Sequence, residues 1–158
     1  MPMPKSVTKY SNKNGVTFIS GVDRANYTIQ ELSRAALKDV AKVIRKKMAA
    51  KMRKLPGFSK SRRPYKTIQT WVRGIETDLQ IGFGNTKKGV SGDSWYAIQQ
   101  ELGTNGQPKR SILRDTVFES INDIQKIEAQ YLSAIEDEAK AQALIDEAEE
   151  VGDEDVDT

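Results

Sequence analysis

Three observations on this 158-residue chain predict an α+β fold, with a small antiparallel sheet of three to four strands packed against a long N-terminal helix and a long C-terminal helix. Apolar residues recur at helical spacing from position 29 to position 52, and Pro56 ends the run. Between positions 67 and 102, short alternating or aromatic segments are separated by glycines, as strands are by turns. From position 111 onward a helical stripe returns and runs to about position 150.

Taken in order, residues 1–14 are polar and rich in turn formers and are expected to be a flexible arm. Residues 16–20 read as a short strand, with Val16, Phe18 and Ser20 on one side, and residues 21–26 as a turn. Thr28 followed three residues later by Glu31 has the form of a capping box, with Tyr27 and Leu32 placed as a hydrophobic staple. The stripe behind it is Ile29, Leu32, Ala36, Leu37, Val40, Ile44, Met48 and Met52. Residues 57–64 read as a basic loop, and residues 67–73 and 75–83 as strands about Gly74. In the second of these Ile75, Leu79, Ile81 and Phe83 face one way and Glu76, Asp78 and Gln80 the other. Residues 84–93 hold three glycines and are expected to join residues 75–83 to a third strand at 94–102. A turn at 103–107 leads to the last helix, whose stripe is Leu113, Val117, Ile121, Ile124, Tyr131 and Ile135. The acidic continuation over residues 136–158 has few large apolar residues, so truncation after Ala139 is expected to leave the fold intact, and the last eight residues are expected to be disordered. The division expected is thus an arm over 1–14, an α+β domain over 15–135 and an acidic helical extension with its tail over 136–158.

The chain has neither cysteine nor histidine. Disulfides, thiolate and imidazole metal sites, cysteine nucleophiles and histidine-based triads are therefore excluded. No paired acidic motif points to a carboxylate–metal nuclease, and no enzyme or cofactor is expected. Gly82, Gly84 and Gly89 lack the lysine–hydroxyl ending of a phosphate loop and read as turn residues. No stretch approaches the ~20 apolar residues of a membrane span, and no apolar run follows the basic start, so synthesis in a cytoplasm is expected.

A formal net charge of +3 hides a strong asymmetry. Residues 34–66 carry 13 Lys or Arg against Asp39 alone, whereas residues 115–158 carry 15 acids against Lys126 and Lys140. The two arms can pair within one chain or between copies. The basic arm offers Lys42, Arg45, Lys46, Lys51, Arg53, Lys60, Arg62 and Arg63, which suit either nucleic-acid phosphates or a neighbouring subunit.

The stretch from position 95 to position 114 carries a motif. An aromatic residue precedes Tyr96 and Ala97; Glu101, Leu102, Gly103 and Thr104 follow, then Gln107 and Pro108, then Leu113 and Arg114. This resembles the head–tail joining family of long-tailed bacteriophages, the tail-completion or neck proteins, over about residues 15–135. Ser111 and Asp115 stand where that family often has prolines, and Leu102 where it has Phe or Tyr. The resemblance implies a homo-oligomeric ring, typically a hexamer, in the neck of the virion. Such a ring has a head-closure protein and a tail-terminator or tail-tube protein as partners, and genomic DNA passes through its channel. Anchored by the sharp end of the segment before it and by Leu113 after it, the loop over Gly103, Thr104, Gln107, Pro108, Lys109 and Arg110 is expected to dock on an adjacent ring or subunit, with Gln107, Pro108, Lys109 and Arg110 exposed at its tip. The other readings are a tail-terminator ring and a nucleic-acid-binding module unrelated to phage.

Overall fold

The computed structural model describes residues 8–11, 14–15, 17–55, 64–73, 77–84 and 92–154. It is α+β, with strands β1 (Thr8–Ser11) and β2 (Thr17–Ser20), helix α1 (Val22–Arg53), strands β3 (Ile68–Val72) and β4 (Leu79–Phe83), and helices α2 (Gly92–Leu102), α3 (Ile112–Glu119), α4 (Ile121–Ser133) and α5 (Glu138–Glu154). The chain divides into two compact units: Met1–Ala36 with Ala129–Thr158, and Leu37–Glu128.

In the first unit β1 and β2 pair antiparallel, with Thr8 opposite Ser20 and Ser11 opposite Thr17. Part of the stretch expected as an arm is therefore a strand. Among the described residues, the buried apolar side chains of this unit are Leu32, Ala35 and Ala36 on α1, Tyr131 on α4, Ala134 just beyond α4, and Ala141, Leu144, Ile145 and Ala148 on α5. The last four follow helical spacing, so α5 has an inward face after all. Small alanines supply half of that face, which is why large apolar residues alone did not reveal it. This burial runs against the reason for expecting that truncation after Ala139 spares the fold.

In the second unit Met48, Met52, Ile68, Ala97 and Ile112 form a buried cluster, with Tyr65, Ile81, Phe83 and Leu113 packed against it. Val40, Ile44, Met48 and Met52 are spaced by four and bury one stripe of α1, each 3% exposed or less. Strands β3 and β4 pair antiparallel with Ile68 opposite Phe83, Thr70 opposite Ile81 and Trp71 opposite Gln80. Ile68, Ile81 and Phe83 thereby join the core from one face of the hairpin.

Four expectations need correction. The sheet of three to four strands is replaced by two separate two-stranded ladders. Residues 94–102, read as a strand, belong to helix α2. Its inward residues Ser94, Ala97 and Gln100 recur every third position, 2% exposed or less, and being small or polar they gave no apolar signal. The long C-terminal helix is broken at Ser120 into α3 and α4, and the acidic outer part is a separate helix, α5, set off by residues 134–137. Helix α1 begins at Val22, not at a Thr28 cap, and Thr28 Oγ1 instead donates to the Arg24 carbonyl one turn back. The expected helix end near Leu55 agrees with the structure, where α1 stops at Arg53. The basic loop, the turn at Gly74 and most of the 84–93 loop lie outside the described residues, as does the end of the tail beyond Glu154.

Candidate functional site

Gly103 ends α2 in the left-handed region, at φ 79°, with its N–H donating to Gln99 O at 2.8 Å. Nothing larger than hydrogen fits there: a Cβ would lie 2.9 Å from the Lys109 backbone nitrogen and 3.1 Å from its Cα. The loop therefore folds back on its own start. Thr104 and Gln107 exchange both backbone hydrogen bonds, at 2.9 and 3.1 Å, around a tip of Asn105 and Gly106. Gln100, 2% exposed, holds the returning limb twice. Its carbonyl accepts from the Arg110 N–H at 2.9 Å. Its Nε2 donates to Gln107 Oε1 at 2.6 Å.

Glu101 completes the arrangement. One carboxylate oxygen accepts from the Leu113 N–H at 2.9 Å and the other from the Arg114 N–H at 3.3 Å. A helix start leaves such amides unsatisfied and favours a negative charge beside them. Ser111, the residue before α3, has φ 46° and ψ 40° and makes no side-chain cap, so the cap comes from α2 instead. A proline ring could not adopt that φ. At Ser111 the chain therefore follows a path closed to the proline that the resembling family often has there.

The motif residues Glu101, Leu113 and Arg114 thus meet in space, and Ala97, 1% exposed, joins the core cluster beside Leu113. Tyr96 is half-buried on α2. Of the expected docking residues, Thr104, Pro108 and Lys109 are exposed, whereas Gly103, Gln107 and Arg110 are half-buried. The expected tip of residues 107–110 is corrected on this point. Hydrogen bonds to Gln100 draw Gln107 and Arg110 inward, and Asn105 and Gly106 form the outermost turn. Sequence reasoning missed Gln100; a glutamine at a core-facing position of a helix is the signal that could have found it.

Along α1, Lys42, Arg45, Lys46 and Arg53 are exposed. Arg53 lies over the Tyr65 ring, 4.7 Å from its centroid. Lys51 pairs with Glu119 at 2.6 Å. Lys47, not singled out from the sequence, donates to Asp123 and, at 3.3 Å, to Ser120 Oγ. The hydrogen bond from Lys47, followed by the attraction of its charge, holds the Asp123 carboxyl below the ordinary carboxylate range. Lys60, Arg62 and Arg63 lie outside the described residues.

Trp71, Trp95 and Leu102 are large apolar side chains left 42%, 58% and 66% exposed in this unit. On α2, Trp95 and Leu102 are seven residues apart and share the face opposite Ala97. Among the described residues no group of three or more acids converges as metal ligands would, and no helix is long and apolar enough to cross a membrane. Comparison of the chain with protein-family models, with curated proteins and with solved structures finds no match.

Proposed function

We propose that this chain is a structural subunit of a tailed-phage neck, forming a ring that joins the head-closure complex to the tail around the DNA channel. The observation that supports this reading most is the capture of the Leu113 and Arg114 amides by Glu101. Three residues of the motif that carries the resemblance are joined in one linkage, so the motif has a physical role in this chain. In this reading the linkage holds the 103–110 loop as a rigid feature on a fixed scaffold, a placement that suits binding. The partners are further copies of the chain, probed most directly for a hexamer, a head-closure protein on one side and a tail-terminator or tail-tube protein on the other. Genomic DNA makes transient, non-specific contact. The work is done by interfaces, not by a reaction.

Imaging the assembled particle with the chain labelled tests the assignment. Density for a ring of this chain between head and tail supports it. Absence of the chain from the neck sinks it, and a ring seated directly on the head-proximal end of the tail tube would assign it to the tail-terminator ring. Substituting the exposed Lys109 by serine tests the loop. Heads and tails should then join less efficiently while the melting temperature of the purified chain is unchanged, because surface charges contribute little to stability.

A further inference from the structure

We infer that the exposed cationic row Lys42, Arg45 and Lys46 on α1 is the docking surface for the outward carboxylates Asp146 and Glu147 on α5 of the next copy. The proposal rests on the ring reading and names the contact that would build the ring. Arg45 and Lys46 lie three and four residues after Lys42, so all three share one exposed face of α1 about 6 Å long. Among the described residues none of the three forms an ion pair. The neighbouring edge of the same helix differs: Lys47 and Lys51 are neutralised by Asp123 and Glu119 of the same chain. Internal counterions thus serve one edge of α1 and stop short of the other. On α5, Asp146 and Glu147 are exposed, and the only described partner of either carboxylate is the uncharged Gln142, which donates to Asp146 at 2.8 Å.

Among the described residues each copy therefore carries an uncompensated cationic row and an uncompensated anionic face, on different units of the chain. A surface that meets a different surface of its neighbour makes a head-to-tail contact, and such contacts close into rings when the rotation between copies closes. Duplex DNA is the competing occupant of the cationic row. The chain's composition favours a second copy: the acids of residues 115–158 nearly balance the bases of residues 34–66, and the net charge is only +3.

The absence of cysteine makes the test direct. One chain carries Arg45→Cys and an affinity tag that changes its mass; the other carries Glu147→Cys. Mixed under mild oxidation at low salt, they should give a ratio of mixed-mass to same-chain dimers roughly tenfold or more above what random pairing gives, a preference on the order of 1.4 kcal/mol. At about 1 M salt, where the screening length falls to roughly 3 Å, that excess should vanish. A chain carrying both substitutions should give a ladder of oligomers. A mixed dimer no more abundant than random pairing gives would overturn the proposal, as would no dimer at all. So would loss of duplex-DNA retention on Arg45→Glu with the preference for the mixed dimer absent. If the preference holds but the particle's neck lacks the chain, the neck reading fails and this contact stands. If the chain is in the neck but the preference is absent, the contact fails and the neck reading stands.

Discussion

Glu101 and Leu113 are joined across twelve residues: the carboxylate at the end of α2 accepts the Leu113 N–H at 2.9 Å and so caps α3 from outside. The chain between them is also fixed at its start, where Gly103 lies against Lys109. The segment between α2 and α3 is thus pinned at both ends.

Replacing Glu101 by alanine should cost about 1 kcal/mol, the usual worth of a helix cap. The loss should be read as a lower denaturant midpoint together with faster hydrogen exchange at the Leu113 and Arg114 amides. Glu101→Gln should recover part of it, since one carbonyl oxygen remains to accept while the favourable charge at the helix start is gone. Unchanged exchange at both amides in Glu101→Ala would show that the cap is dispensable.

Gly103→Ala should be more damaging. A side chain at φ 79° costs roughly 1–2 kcal/mol from the backbone alone, and the added Cβ would press on the Lys109 backbone. Gly106→Ala, by contrast, meets open space and should be nearly silent. Thermal melts of the two variants side by side decide this, and equal melting temperatures would contradict it.

Thr77 adopts φ 50°, which a β-branched residue tolerates poorly. Thr77→Asn should raise stability by up to about 1 kcal/mol, because asparagine visits the left-handed region more readily. Chemical denaturation measures the gain.

Asp123 supplies a pH dependence with a definite sign. Its carboxyl titrates below the ordinary carboxylate range in the folded chain, chiefly through the hydrogen bond from Lys47. The pair therefore supports the fold above the ordinary carboxylate pKa, and that support is lost as the pH falls through the lowered folded value. Asp123→Asn should flatten the acid limb of a stability–pH profile and leave the response to alkali unchanged. A wild-type acid limb in the variant would refute the assignment.

Ending the chain after Asp137 removes Ala141, Leu144, Ile145 and Ala148, all 9% exposed or less. Burying a Leu or Ile side chain is worth about 1.5–3 kcal/mol, so the first unit should lose roughly 3 kcal/mol or more. Melting followed separately at Tyr27, in the first unit, and at Trp71, in the second, should show the first transition moved down much further than the second.

Where sequence and structure agree, the signal was strong and local. Pro56 after a long apolar stripe marks the end of α1, and the 79–83 part of the 75–83 alternation is strand β4, whose Ile81 and Phe83 reach the core. Where they differ, the deciding contacts were polar or made by small residues. Trp95 and Tyr96 gave α2 the look of a strand, while its inward face is Ser94, Ala97 and Gln100. The break at 134–137 holds neither glycine nor proline; it is made by tightened turns such as Ala134 N–H to Tyr131 O, and Asp137 then caps α5 through the Ala139 and Lys140 amides. The loop at 103–110 was legible from its glycines and its proline. Its closure by Gln100 and Glu101 was not, because hydrogen bonds between separate elements leave no periodic trace.

The second unit, Leu37–Glu128, is one unbroken stretch of chain, whereas the first combines Met1–Ala36 with Ala129–Thr158. The order of synthesis then imposes an order of folding. A growing chain holds everything the second unit needs once residue 128 has left the ribosome, and its methionine cluster can close while translation continues. The N-terminal piece must wait for residues 129–154 before Leu32, Ala35 and Ala36 acquire their full set of buried companions. Until that moment the front half of α1 is a waiting template, and the pace at which the last helices emerge sets how long it stays uncovered.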